Sequence, residues 1–209
     1  MNQKILFEIK KFAQKPVFFT DRTKVLNFDK TIQNLPRNST ILIREYDLDK
    51  KPREEFAQKI IQLARPKQLK ILIGKDFELA RKIKANGVHF SDLNKIPLQF
   101  LKKKSLPKNF IFSISCHSFR SFLKAKKLKP DIIFISPIFA TTSHIGATTF
   151  GLKNLAKISF QTKKAKYLGN SVWEPQIFAL GGINLNNIKS VRKLAISGFA
   201  AIDLFCEEN

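Results

Sequence analysis

Few side chains in this sequence are suited to chemistry, and they are quickly named. There are three histidines, His89, His117 and His144, and two cysteines, Cys116 and Cys206. An imidazole ordinarily titrates near neutrality, so a histidine beside a reacting carbon can take up and return a proton without a cofactor. His117 closes the run Ser113-Ile114-Ser115-Cys116-His117. In an extended strand alternate side chains share a face, which groups Ser113, Ser115 and His117 on one side and Ile114 and Cys116 on the other. The apolar side belongs against helices, so His117 is expected to face a polar interior and Cys116 to be removed from it. A second signal is Ala179-Leu180-Gly181-Gly182-Ile183-Asn184. Paired glycines let backbone N–H groups approach an anion such as phosphate. Arg44, on an inward strand face, either binds an anionic substrate or pairs with an interior carboxylate such as Glu45 or Asp21. Lys75 either supplies positive charge to the site or is a solvated loop lysine. The cysteines stand far apart and in no CxxC pair, which points to neither a disulfide framework nor a zinc site.

These residues need elements to position them. Short β-branched or aromatic runs at 17–20, 40–44, 70–73, 87–90, 110–115, 131–136, 176–180 and 199–202 read as strands. Amphipathic stretches at 28–35, 53–64, 77–85, 98–103, 119–127, 152–162 and 187–195 read as helices, with Asp76 and Asn184 or Asn186 as caps. Strands and helices alternate with no composition break, which predicts an α/β fold: one (β/α)8 TIM barrel over 1–209. Catalytic groups of such a barrel lie at the C-terminal strand ends, where His89, His117 and the loop holding His144 fall. The loops after strands seven and eight, Gly181-Gly182 and Ile202-Asp203, are the usual phosphate site. The stretch 161–175 is expected to be a long connection on the opposite face, its Trp173 making a core or partner contact.

Composition narrows the alternatives. At 209 residues the chain can bury a core without disulfides or metals. No apolar run reaches the roughly 18 residues of a membrane span, and charged residues near the N-terminus argue against a signal peptide, so a cytoplasmic location is expected. The net charge of +22 invites a nucleic-acid reading. The basic residues, however, are 30 Lys and 8 Arg spread along the whole chain. That pattern fits solvated helix faces and a compositional bias better than a nucleic-acid surface. A homo-oligomer stays open.

The motifs FFTDR, ILIRE, ILIGKDFELARKIKANGVHFS, FSISCHS, DIIFISPIFATTSHIG, FALGGIN and GFAAID fall on successive strand ends. In this order they resemble the thiamine phosphate synthase and TenI family of barrels, from about Phe18 to Ile202. The synthases join an aminopyrimidine diphosphate to a thiazole phosphate. On the diphosphate side the resemblance is poor. Leu42 and Tyr46 flank Arg44 where the pattern has Gln and Lys, and Gly74-Lys75 replaces an Asn-Asp pair whose Asp binds magnesium. Asn94 matches the second magnesium Asp, and His144 matches a loop Lys. Magnesium needs hard anionic oxygens, so Lys75 and Asn94 should not hold it. Arg44 and Ser115 are retained. On the thiazole phosphate side Thr141, Ser143, Gly182 and Ile202 match the pattern, and Asp203 stands where Ser is usual, its carboxylate expected to point away from the phosphate. His144 replaces a Lys and either contacts a substrate carboxylate or caps its loop. His89 matches a histidine found regardless of activity and reads as structural.

The retained half points to the TenI-like branch, whose activity is aromatisation of a thiazole phosphate carboxylate tautomer. The resemblance then makes His117 the catalytic residue and implies no cofactor, magnesium entering only if the protein is a synthase. The runner-up is a thiamine phosphate synthase. A third reading is a non-catalytic, regulatory binder of a phosphate ligand.

Overall fold

The computed structural model describes residues 7–12, 15–91, 96–97, 106–141, 148–167 and 173–205, and for 164–167 the backbone alone. Eight parallel strands close into a barrel in chain order, and β8 pairs with β1 through Val17 opposite Ala200 and Phe18 opposite Ala201. The strands are β1 (Val17–Phe19), β2 (Thr40–Ile43), β3 (Lys70–Gly74), β4 (Gly87–Phe90), β5 (Ile111–Cys116), β6 (Ile132–Ile135), β7 (Gln176–Leu180) and β8 (Gly198–Ala201). The helices that follow the strands include α1 (Phe28–Asn34), α2 (Lys50–Ala64), α3 (Phe77–Lys82), α4 (Phe119–Leu128), α5 (Gly151–Tyr167) and α6 (Ile188–Arg192), and a 3-10 turn, Arg65–Lys67, extends α2. The helix expected at 98–103 lies outside the described residues. The fold is the expected (β/α)8 barrel.

Strand periodicity divides the apolar residues into two layers. Val17, Phe19, Leu42, Leu72, Phe134, Phe178 and Ala200 fill the barrel interior. Their alternates, including Phe18, Ile41, Ile43, Phe112, Ile114 and Cys116, pack outward against the helices. Cys116 is fully buried there, and burial pushes its thiol up to about 12, so it holds no thiolate at neutral pH.

Several helix boundaries differ from expectation for local reasons. Helix α2 begins a turn early, at Lys50, with Pro52 in its first turn, where a missing N–H breaks no helical bond. Asp76 caps α3 by accepting from the Leu79 N–H at 2.8 Å. Helix α5 runs on to Tyr167, well into the stretch expected to be a loop, because Gln161, Lys163 and Ala165 are good helix formers. Trp173 donates its indole N–H to the Pro130 carbonyl at 2.7 Å and packs on the outer core, a core contact at the bottom of the barrel. Helix α6 is only five residues long. Its start is organised by Asn184, whose side chain accepts from the Asn186 N–H, and by Asn187, which donates to the Gly182 carbonyl at 2.8 Å. After β8 the described chain makes a single 3-10 turn, Asp203–Phe205. Among the described residues no helix is long and apolar enough to cross a membrane.

Candidate active site

The C-terminal strand ends enclose a cavity of about 630 Å³ floored by Phe19, Leu180 and Ala200. Arg44, Ser115, His117, Thr141, Gly182, Ile202 and Asp203 all line it, so the barrel brings these sequence-derived candidates to one place. Ser143, His144 and Asn94 lie outside the described residues. Tyr46, Lys75, His89, Ser91, Ser136 and Thr148 complete much of the wall.

The two described histidines are held in opposite ways. His89 is buried between Phe19 and Phe134, with ring centroids 5.9 and 5.3 Å away. Its Nδ1 lies 3.1 Å from the Ser113 hydroxyl and its Nε2 lies 3.2 Å from that of Ser115. Ser113 gives its own proton to the Val88 carbonyl at 3.1 Å, so it can only accept from the ring. Nδ1 therefore carries the hydrogen and Nε2 accepts from Ser115. Burial first, then the nearby charges of Arg44, His117 and Lys75, lowers His89 to about 3. It is a neutral residue with a structural role, the one expected for it, and its contact with Ser115 orients that hydroxyl.

A pH prediction follows from the sign of that shift. The folded value lies below the unfolded one of about 6.5, so the stabilisation is complete above that pH and is lost progressively as pH falls toward 3. Stability should fall on acidification through this window by up to about 1.4 kcal/mol per pH unit. Urea unfolding at pH 7 and pH 4.5 should show a smaller acid loss in His89→Gln than in the wild type. An equal loss in both would assign the pH dependence to other groups.

His117 sits beyond the end of β5, exposed toward the cavity. Its Nδ1 lies 3.1 Å from the Ser136 carbonyl and 3.1 Å from the Ser136 hydroxyl. A carbonyl only accepts, so Nδ1 bears the hydrogen and Nε2 keeps its lone pair. Ser118 and Ser121 cap α4 reciprocally, and the Ser121 hydroxyl also accepts from the His117 N–H at 3.1 Å, fixing the residue's backbone. Ser136 escaped the sequence reading as a functional residue. The signal was the strand pairing: Cys116 opposes Ile135, which sets Ser136 beside His117.

The glycine loop is shaped for close approach. Gly181 and Gly182 have φ of +94° and +65°. A Cβ on Gly182 would lie 2.3 Å from the Ala140 carbonyl oxygen and 2.8 Å from the Phe139 Cβ, so only glycine fits. Among the described residues nothing accepts from the Gly182 or Ile183 N–H groups. Asp203 turns its carboxylate to Lys24, 3.1 Å away.

On the far wall, Arg44 forms no ion pair among the described residues. Glu45 instead accepts from the Thr20 hydroxyl at 2.6 Å, and burial raises its carboxyl above the usual range. Asp21 holds a turn through Thr23. Lys75 lines the wall, its ammonium over the Tyr46 ring and in no ion pair among the described residues, and stands where the family resemblance places a magnesium carboxylate. Among the described residues no group of three His, Cys, Asp or Glu side chains could hold a metal ion. Gly74, Lys75 and Tyr46 offer magnesium no anionic oxygen, so this part of the wall does not fit the ion.

Comparison with known proteins bears on the fold and the family. The family model described as thiamine monophosphate synthase matches residues 18–205. The chain is 31% identical over 191 residues to "Putative thiamine-phosphate synthase 2" of Aquifex aeolicus (strain VF5), covering 90% of this chain and 95% of that protein. It is 28% identical over 170 residues to a thiamine-phosphate synthase of Clostridium botulinum (strain 657 / Type Ba4), covering 81% and 77%. In structure it is similar to a thiamine phosphate pyrophosphorylase from Pyrococcus furiosus, with a TM-score of 0.72, 22% identity, and 92% and 87% of the two chains covered. The barrel, its strand-end motifs and the match over nearly the whole chain together establish that this protein belongs to the thiamine monophosphate synthase family.

Proposed function

We propose that the protein is a thiazole phosphate tautomerase of thiamine biosynthesis that works without a metal. The observation that carries this reading is His117: its Nδ1 is tied to the Ser136 carbonyl, which leaves Nε2 as a basic nitrogen on the cavity wall. The substrate phosphate lies at the N–H groups of Gly182, Ile183 and Ile202, with the Thr141 hydroxyl beside it. His117 Nε2 takes the proton from the saturated ring carbon. The C–H electron pair enters the ring as a double bond, and the imidazolium returns a proton at another atom of the same substrate. Nothing is oxidised or reduced, and the product is the aromatic isomer. Ser115, its proton given to His89, offers a fixed acceptor to the substrate. Arg44 supplies positive charge on the far side.

A second reading, thiamine-phosphate synthase, is favoured by the names of the relatives. Against it stands Lys75, whose ammonium would repel magnesium at contact distance. Two assays separate the readings. The purified protein should aromatise the thiazole phosphate carboxylate tautomer equally well with a metal chelator or with added magnesium. It should form no thiamine phosphate from the aminopyrimidine diphosphate and the thiazole phosphate. Magnesium-dependent thiamine phosphate formation would replace the tautomerase by the synthase. Tight ligand binding without turnover in either assay would leave a phosphate-ligand binder.

A further inference from the structure

The basic residues are spread along the chain, but the acidic ones are not. Residues 93–173 hold 15 of the 38 basic residues and only one of the 16 acidic ones, Asp131. Its carboxylate accepts from the Phe112 N–H at 2.8 Å, at the foot of β5 and β6. This stretch supplies α4 and α5, consecutive helices of the outer ring that follow the neighbouring strands β5 and β6. On the other side of the barrel the helices mix both signs. Lys59 of α2 pairs with Asp29 of α1 at 3.8 Å, Lys82 of α3 with Glu54 of α2 at 2.6 Å, and Arg81 with Glu78 at 3.7 Å. Among the described residues no cation of α4 or α5 is in an ion pair.

The same two helices expose apolar side chains among these cations. Helix α4 buries Phe122 and Ala125 against the barrel, and its periodicity turns Arg120, Leu123, Lys124 and Lys127 outward, with Phe119 one turn before Leu123. Phe119 is 40% exposed and Leu123 47%. Helix α5 buries Leu155 and Ile158 and turns Lys153, Lys157 and Phe160 to solvent along one face, where Phe160 is 67% exposed. Three apolar side chains therefore stand singly among ammonium groups on the convex outside of the barrel.

A second copy of the chain is a poor cover for this face, because a two-fold contact would set like charges against each other. The partner has to be anionic and has to accept isolated apolar side chains. We propose that the outer face of α4 and α5 docks on the surface of an anionic phospholipid bilayer, with the lysines at the headgroup phosphates and Phe119, Leu123 and Phe160 dipping into the interfacial region. The side chains favour lipid over nucleic acid. Six of the seven described cations on these helices are Lys, a hydrated point charge without the planar fork that reads bases. Leu123 offers no ring on which a base could stack. The contact is with the bilayer surface, since no described helix is long and apolar enough to cross it. The cavity opens along the barrel axis while these helices face sideways, so docking leaves the site open and does not depend on which substrate it takes.

The test is flotation of the purified protein with vesicles of phosphatidylcholine alone and of phosphatidylcholine with about one quarter phosphatidylglycerol, at low and at high salt. At low salt the anionic vesicles should bind at least about 10-fold more tightly than the neutral ones, and high salt should remove most of the difference. Lys124→Gln combined with Lys127→Gln should weaken binding about 10-fold or more, each lysine near an anionic surface counting for roughly 5-fold. The same change on the opposite side of the barrel, Lys50→Gln with Lys51→Gln, should alter it less than about 3-fold. Leu123→Ser with Phe160→Ser keeps every charge and should still weaken it about 10-fold. Equal affinity for the two vesicle types, an equal loss in the two lysine pairs, or binding indifferent to Leu123→Ser with Phe160→Ser overturns the proposal. Duplex DNA bound more tightly than the anionic vesicles would replace the lipid surface by a nucleic-acid one.

Discussion

His117→Gln should fold, bind the thiazole phosphate nearly as the wild type does, and lose about 100-fold to 10,000-fold in the rate of tautomer aromatisation, the usual cost of removing a general base. The reason is local. Gln can reproduce the hydrogen bond that His117 Nδ1–H makes to the Ser136 carbonyl, so the wall and the α4 cap stay intact. An amide, however, has no nitrogen that takes a proton near neutral pH. The loss should appear in kcat with little change in the calorimetric affinity for the product phosphate. Cys116→Ala provides the control, since that thiol is buried in the outer layer, protonated, and turned away from the cavity. A His117→Gln enzyme of undiminished rate would move the proton transfer to another group, His144 being the next to test.

The second large effect is expected at Gly182. Replacement by Asp places a Cβ where the Ala140 carbonyl oxygen and the Phe139 side chain already stand, on a backbone with φ of +65°. It also brings a negative charge to the N–H groups assigned to the phosphate. Left-handed strain costs on the order of 1–3 kcal/mol, and a lost charge-assisted hydrogen bond costs about 1.5–3 kcal/mol. Affinity for a thiazole phosphate should therefore fall by roughly 100-fold or more. Thr141→Ala removes one hydroxyl and should cost about 10-fold or less. Calorimetry on the two variants gives the order directly, and equal affinity of wild type and Gly182→Asp would place the phosphate elsewhere. Gly182→Ala separates the two causes, because it keeps the steric conflict and omits the charge.

The legibility of this site varied with the kind of information each residue carries. Alternation along 113–117 was enough to separate His117 from Cys116, since a strand assigns faces by counting residues and the apolar face has one destination. The glycine pair was readable because φ above zero and close backbone approach exclude other residues. Lys75 could be read two ways. Its outcome depends on Tyr46 lying over Gly74, a contact between the ends of β2 and β3 that sequence spacing does not encode. Ser136 was visible only as a strand end, because its partner His117 is 19 residues away and meets it through the register of β5 and β6. The extension of α5 to Tyr167 was missed where polar composition resembled a loop, although the residues themselves favour helix.

The amino-acid sequence by itself determined the alternating β/α order, the two-layer division of apolar residues and the glycine loop after β7, because these follow from local periodicity and backbone sterics. Only the tertiary structure decided the tautomers of His89 and His117, the pairing of Asp203 with Lys24, and the placing of Lys75 on Tyr46. Each of these depends on a contact between groups on different strand ends or loops. Closing the barrel sets their distances, and distance determines which donor meets which acceptor and which charges are left to face the cavity.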